Sequence, residues 1–327
     1  MRIGFRHRRR GKIDRILLPK RAQIARMLAG AALPPRRWPA HALGLEGAIG
    51  RPEGALPRIL AAVVRGPAPI IDADSPPPPP FPHPTTLAID HARRGAHAIL
   101  VATDAPFLGG AFAELTAIRT ALDEAFGSAR PLLVAMDFVI HAIQLDRVLD
   151  SGADAVLLIA RLVEPEALAL LVAAARARGL ESIVEIASEE DFAAAKAAGA
   201  RVLGVSARDL NTGRSDAEQG AALLERIDRD LVAIDLGGVG SSRADAVMID
   251  CCAGARADRG ASFRRENLRE GGEAGRSEEG ERFFCRISPP ILWPFLSPSR
   301  LPAFLSSPPD LRRLGATYGS GQRRDYS

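Results

Sequence analysis

Along residues 60–257, short apolar runs alternate with amphipathic, alanine-rich stretches. The apolar runs fall at 68–73, 98–103, 131–139, 155–159, 182–186, 202–205 and 231–234, each the length of one buried strand. The intervening stretches at 87–94, 113–125, 143–151, 165–178, 189–198 and 217–229 carry the spacing of helices. Several of them stop at a glycine followed by a small residue, as at Gly95-Ala96, Gly152-Ala153 and Gly199-Ala200, which is the usual helix C-terminal signal. Strands that alternate with helices of this length predict βαβ units and a parallel sheet. Seven strands at a repeat of roughly 27 residues predict an α/β chain of the (β/α)8 TIM-barrel type, with the eighth βα unit missing or replaced. No GxGxxG follows the first run, which argues against a doubly wound sheet.

The flanks read differently. Residues 1–59 are expected to form a basic, partly helical extension, with Arg2, Arg6, Arg8, Arg9, Arg10 and Lys12 against the single early acid Asp14. A targeting segment would be Ser-rich as well as Arg-rich, and the first forty residues contain no Ser or Thr. The expected location is therefore cytoplasmic, with a plastid as the alternative should the basic segment be a targeting signal. Basic residues without interleaved aromatics do not suggest a nucleic-acid arm. Pro76 to Pro80 form an unbroken proline run, which is read as a polyproline-type loop. Residues 258–327 lose the βα rhythm and are read as a low-complexity, disordered tail.

Composition narrows the classes. At 327 residues with 47% hydrophobic and 25% charged side chains, the chain can bury a large core. Aromatics at 5% favour a helix-rich protein over an all-β sandwich. Cys251, Cys252 and Cys285 have neither a disulfide framework nor zinc spacing. The longest apolar stretch is broken by Arg161, Glu164 and Glu166, so no membrane span is expected. The six histidines are scattered without helical ligand spacing, and no metal or other cofactor is expected.

In such barrels the active site lies at the C-terminal ends of the strands. That rule selects Asp72 and Asp74, Thr103 and Asp104, Met136 and Asp137, Glu185, Ser206 and Arg208, and Asp235. Glu185 stands out because it interrupts the apolar run Ile183-Val184-Glu185-Ile186, where an unpaired carboxylate is costly to bury. The bland alternative is an outward glutamate paired with a helix-borne Arg. After the seventh run, Asp235-Leu-Gly-Gly-Val-Gly-Ser-Ser242 offers clustered backbone N–H groups and is expected to open a helix, which suits a phosphate near Gly237 and Gly238. A tight turn capped by Ser241 or Ser242 is the plainer reading.

Several of these segments, in this order, resemble the indole-3-glycerol-phosphate synthase family of tryptophan biosynthesis. The segment Ala98-Ile-Leu-Val-Ala-Thr-Asp-Ala-Pro-Phe-Leu-Gly-Gly110 is similar to its second strand and loop, and Pro131-Leu-Leu-Val-Ala-Met-Asp-Phe-Val-Ile140 to its third strand. Gly152-Ala-Asp-Ala-Val-Leu-Leu-Ile-Ala160, Val184-Glu-Ile186 and Gly204-Val-Ser-Ala-Arg-Asp-Leu210 resemble strands four to six. Ser242 to Ala257 resembles the seventh helix and the approach to strand eight. The resemblance implies a carbon–carbon carboxy-lyase. It would close the ring of a carboxyphenylamino-deoxyribulose 5-phosphate with loss of CO₂ and water, without a cofactor. It further implies Glu185 and Asp72 as catalytic carboxylates, with Ser206, Arg208, Gly237 and Gly238 at the substrate. Its departures are Met136 and Asp74 where the family has lysines, Ser206 where it has asparagine, and Gly237 where it has serine. Impaired catalysis is therefore expected. The alternatives are a non-catalytic degenerate barrel and another phosphate-binding barrel lyase or isomerase. The partner implied is a small phosphorylated substrate, with no membrane or nucleic acid, and with another tryptophan-pathway enzyme as a candidate neighbour.

Overall fold

A computed structural model describes residues 12–30, 36, 38–64, 82–210 and 214–250. Two helices come first, α1 (Lys12–Ala29) and α2 (Gly44–Ile49), and then β1 (Arg58–Val63). There follow α3 (Pro84–Arg93), β2 (Ala98–Ala102), α4 (Ala105–Leu108), α5 (Phe112–Phe126), β3 (Leu132–Met136), α6 (Ile143–Asp150) and β4 (Ala155–Ile159). The chain continues through α7 (Pro165–Ala177), β5 (Glu181–Ile186), α8 (Glu189–Ala197), β6 (Val202–Val205), α9 (Ala217–Glu225), β7 (Val232–Asp235) and β8 (Ala246–Asp250). The eight strands pair in sequence order, all parallel, and β8 closes on β1 from Arg58↔Ala246 to Ala62↔Asp250.

The first strand among the described residues is 58–63, and the run expected at 68–73 lies outside them. A strand covered on both sides reads as a continuous apolar run, and Leu60 to Val63 are all buried. The eighth strand is also present, formed by residues expected to belong to a helix. What is absent is a helix between β7 and β8. Parallel neighbours usually need a crossover of about a dozen residues or more, yet here 236–245 make the link as a loop and turn. Arg243 takes up much of the space. It is 3% exposed and donates to the carbonyls of Ile227, Asp228 and Leu231 and to the Asp245 carboxylate.

Strand alternation sorts the core into two layers. Leu60, Leu100, Leu132, Val134, Leu157, Ile183, Val202 and Ile234 fill the barrel interior, and Leu45 and Ile49 of α2 pack with them. The Leu45 N–H donates to Glu181, the first residue of β5, so α2 covers the end where the strands begin. The opposite set, including Val63, Val101, Leu133, Ala135, Val184, Val205 and Ala233, meets the surrounding helices. Ile13, Ile16, Leu17 and Ile24 of α1 belong to that helix-facing core.

Lys20 of α1 is 2% exposed and forms ion pairs with both Asp104 and Asp137, just past the ends of β2 and β3. Asp104 also caps α4 through the Phe107 N–H. Burial pushes the Asp137 carboxyl above its ordinary value, although Lys20 pulls it back down. The proline run, Asp72, Asp74 and the segment 258–327 lie outside the described residues. Among those described, no helix is long and apolar enough to cross a membrane.

Removing one partner of a buried ion pair leaves an uncompensated charge. Lys20→Met is expected to cost about 3–5 kcal/mol of stability, measured as a lowered urea midpoint. A loss of under about 1 kcal/mol would show that α1 is not anchored through this group.

Candidate active site

The strand ends opposite α2 form the mouth. On β5, Ile183 faces the interior, so Glu185, two residues on, faces it too, while Val184 and Ile186 pack against the helices. The outward reading of Glu185 is therefore excluded. Its registered neighbours are Ile159 on β4 and Gly204 on β6. Two residues beyond each of those stand Arg161 and Ser206, so cation and hydroxyl flank the carboxylate from opposite sides. Ser206 hydrogen-bonds the carboxylate, and its Oγ in turn accepts from the Arg208 N–H at 3.4 Å.

Burial pushes the Glu185 carboxyl up to about 7, with Asp191 adding to the rise and with Arg161 and the Ser206 hydrogen bond opposing it. Protein surrounds the group, but part of the side chain still meets solvent through the mouth. A carboxyl poised near neutrality in a barrel mouth can both give and take a proton.

The other sequence candidates divide. Met136 faces inward, since Leu132 and Val134 of the same strand do, and it packs against both core layers. A thioether donates no proton. Asp137 and Asp104 are spent on Lys20, and the Thr103 hydroxyl donates to the Met136 carbonyl at 3.3 Å. On β1 the inward position nearest the mouth is Ala62, which offers no functional group.

The loop after β7 opens no helix, contrary to the sequence expectation. Three of its amides are also occupied. The buried Asp235 carboxylate accepts from Gly237 N at 3.0 Å, Val239 N at 3.1 Å and Gly240 N at 2.9 Å. A Cβ on Gly237 would meet the Ala207 backbone nitrogen at 2.7 Å, so glycine is needed there for close approach.

Arg161 and Asp191 were not singled out by sequence. Arg161 Nη2 lies 2.9 Å from Asp191 Oδ2, and Nη1 lies 3.6 Å from Asp209 Oδ2. The rule that strand ends carry the chemistry would have found Arg161, two residues past β4. Among the described residues, no group of three metal-ligating side chains converges. A hollow of about 220 Å³ is lined by Leu45, Glu181 and Arg201 at the covered end, away from Glu185.

The raised carboxyl makes a pH-dependent contribution to stability. Its folded value near 7 exceeds the unfolded 4.5, so between these the folded state holds a proton the unfolded chain has released. Stability from this group is full below 4.5 and is lost as pH rises through 7. Glu185→Gln is expected to be more stable than wild type by about 1–3 kcal/mol at about pH 8 and to match it at about pH 4, by urea denaturation. Equal differences at both pH values would rule out a raised carboxyl.

Comparison with known proteins agrees with the earlier resemblance. The sequence pattern of the family described as indole-3-glycerol phosphate synthase matches residues 82–253. The indole-3-glycerol phosphate synthase of Micrococcus luteus is 34% identical over 220 residues, covering 67% of this chain and 75% of that protein. Those of Opitutus terrae and Roseiflexus castenholzii are 32% and 38% identical, each over 158 residues. The chain spans 58% of each of these two. A solved 3-hexulose-6-phosphate synthase is 15% identical over 62% of this chain and 93% of its own, with a TM-score of 0.42. By the extent of the match, the chain belongs to the indole-3-glycerol phosphate synthase family.

Proposed function

We propose that the chain is a carboxy-lyase that forms indole-3-glycerol phosphate from 1-(2-carboxyphenylamino)-1-deoxyribulose 5-phosphate, and that it does so slowly. The observation that carries this reading is Glu185, inward at the end of β5 and hydrogen-bonded to Ser206, where burial pushes its carboxyl up to about 7. Ring closure joins an aromatic carbon to the ribulose carbonyl carbon, and the carbonyl oxygen takes a proton. CO₂ then leaves the ring carbon and its bonding electrons restore the benzene ring; the hydroxyl takes a second proton and departs as water, and a base removes a proton from the adjacent carbon to complete the indole. Proton transfers at such neighbouring atoms can be shared by one carboxyl near neutrality. Glu185 is that group in this reading, with Ser206 and Arg208 at the substrate.

Slow turnover follows from the residues around it. Met136 stands inward with no proton to give, and the β1 position facing the mouth is Ala62. The amides of Gly237, Val239 and Gly240 already satisfy Asp235, so a substrate phosphate would have to compete for them. These same observations favour a second reading, a barrel that binds the phosphorylated compound without converting it. Asp72 and Asp74 follow the end of β1 by nine and eleven residues and lie outside the described residues. The proposal includes no cofactor, and it places the chain in the cytoplasm beside the tryptophan-pathway enzymes that would consume its product.

Indole fluorescence after addition of the substrate is the assay. Glu185→Gln should lower the rate about 10²–10⁴-fold, and Met136→Lys should raise it about tenfold or more. Product formation unaffected by Glu185→Gln would remove Glu185 from the reaction. Tight binding without product, in wild type and Met136→Lys alike, would establish the second reading.

A further inference from the structure

The mouth contains a cation that the proposed chemistry has not yet used. Arg161 follows β4 in a short turn of 3-10 helix, Ala160–Leu162, and its side chain is 15% exposed. Three connections meet around it. Its Nη2 and Nε contact Asp191 Oδ2 at 2.9 and 3.3 Å, in the first turn of α8 beyond β5. Its Nη1 faces Asp209 at 3.6 Å, in the loop beyond β6. Glu185 lies between these loops, with its backbone in register with Ile159, two residues before Arg161.

Asp191 is itself fixed. It is 1% exposed, accepts from the Ala187 N–H at 3.1 Å, and its own N–H is capped by Ser188 Oγ at 3.2 Å. A guanidinium held by so rigid a carboxylate loses little further entropy when it faces another anion. On the opposite flank Ser206 supplies a neutral hydrogen bond. The charged groups facing Glu185 are thus Arg161 from the β4 end and Asp191 from α8, with Asp209 joined to them through Arg161.

We propose that Arg161 is the positioning residue of this mouth. It is the counter-charge through which Glu185 is held in its working state, and the tie that keeps the loops after β4, β5 and β6 in one arrangement. The assignment rests on the reading of Glu185 as the proton-transfer group, but it adds a residue that the family resemblance did not supply. It also gives the mouth a cation where Met136 provides none. An anionic group of a substrate would reach Arg161 on the side shared with Asp209, which is half exposed, sooner than on the side of buried Asp191.

The test needs no turnover, so it is independent of whether the chain makes product. Full-length protein is labelled with ¹³C at the glutamate carboxyls, and the Glu185 signal is identified by its loss in Glu185→Gln. Its titration midpoint is then followed in wild type, Arg161→Lys and Arg161→Met. The midpoint should lie near 7 in wild type. It should move up by about one pH unit or more in Arg161→Met, and by less in Arg161→Lys, which retains a charge without the fork. A role confined to packing would lower stability while leaving the midpoint in place. An unmoved midpoint in whichever of the two variants folds overturns the proposal, since even the lysine changes the distance and the number of donors.

Discussion

The pairing of β8 with β1 is the constraint on which the rest depends. A parallel barrel can bring its strand ends to one mouth only if the last strand finds the first, and five registered residue pairs achieve this. Closure also fixes which side chains look inward, because alternation along each strand then has a single sense. The unusual element is the short path into β8. Ten residues, 236–245, do what usually takes a helix, and two fixed charges hold them. Asp235 gathers three loop amides, and Arg243 binds three carbonyls of the preceding connection. Backbone groups that a helix would satisfy internally are satisfied here by buried ions.

The buried acids around the mouth form a graded series. Asp104 and Asp137 share a lysine, and Asp235 has three amides. Asp191 has a guanidinium and an amide. Glu185 has a serine hydroxyl and an arginine that is divided between other carboxylates. Desolvation is costly for every one of them; Asp137 and Glu185 both fall short of compensation, and Glu185 does so without a lysine against it. That shortfall raises its titration to neutrality, and it is what makes the position useful for proton transfer. Stability and chemistry pull in opposite directions at this residue.

Strands β2 to β7 are legible because each is an apolar run between helices, and the helices before β2 to β6 stop at a glycine. β1 is hard to read because Ala61 and Ala62 give a weaker hydrophobic signal than the isoleucines at 70 and 71, which lie outside the described residues. β8 reads as helix in the sequence because a parallel strand directly after a glycine loop breaks the expected rhythm. Glu185 could be found because a carboxylate inside an apolar run has no ordinary explanation. Lys20 could not, since its burial depends on two aspartates more than eighty residues away. Arg161 was visible only as an interruption of apolar sequence. Its meaning comes from Asp191 and Asp209, which the fold alone brings to it. The glycines after β7 suggest an anion site, and the chain's own Asp235 bonds the amides of Gly237, Val239 and Gly240.

The most direct test of the account is a crystal structure of the full chain soaked with 1-(2-carboxyphenylamino)-1-deoxyribulose 5-phosphate. Slow conversion would leave the compound in place. The account expects it in the mouth, with its ribulose carbonyl oxygen within hydrogen-bonding distance of Glu185 and an anionic group beside Arg161. Density in the hollow at the covered end, or a compound that enters the mouth without approaching Glu185, would contradict it.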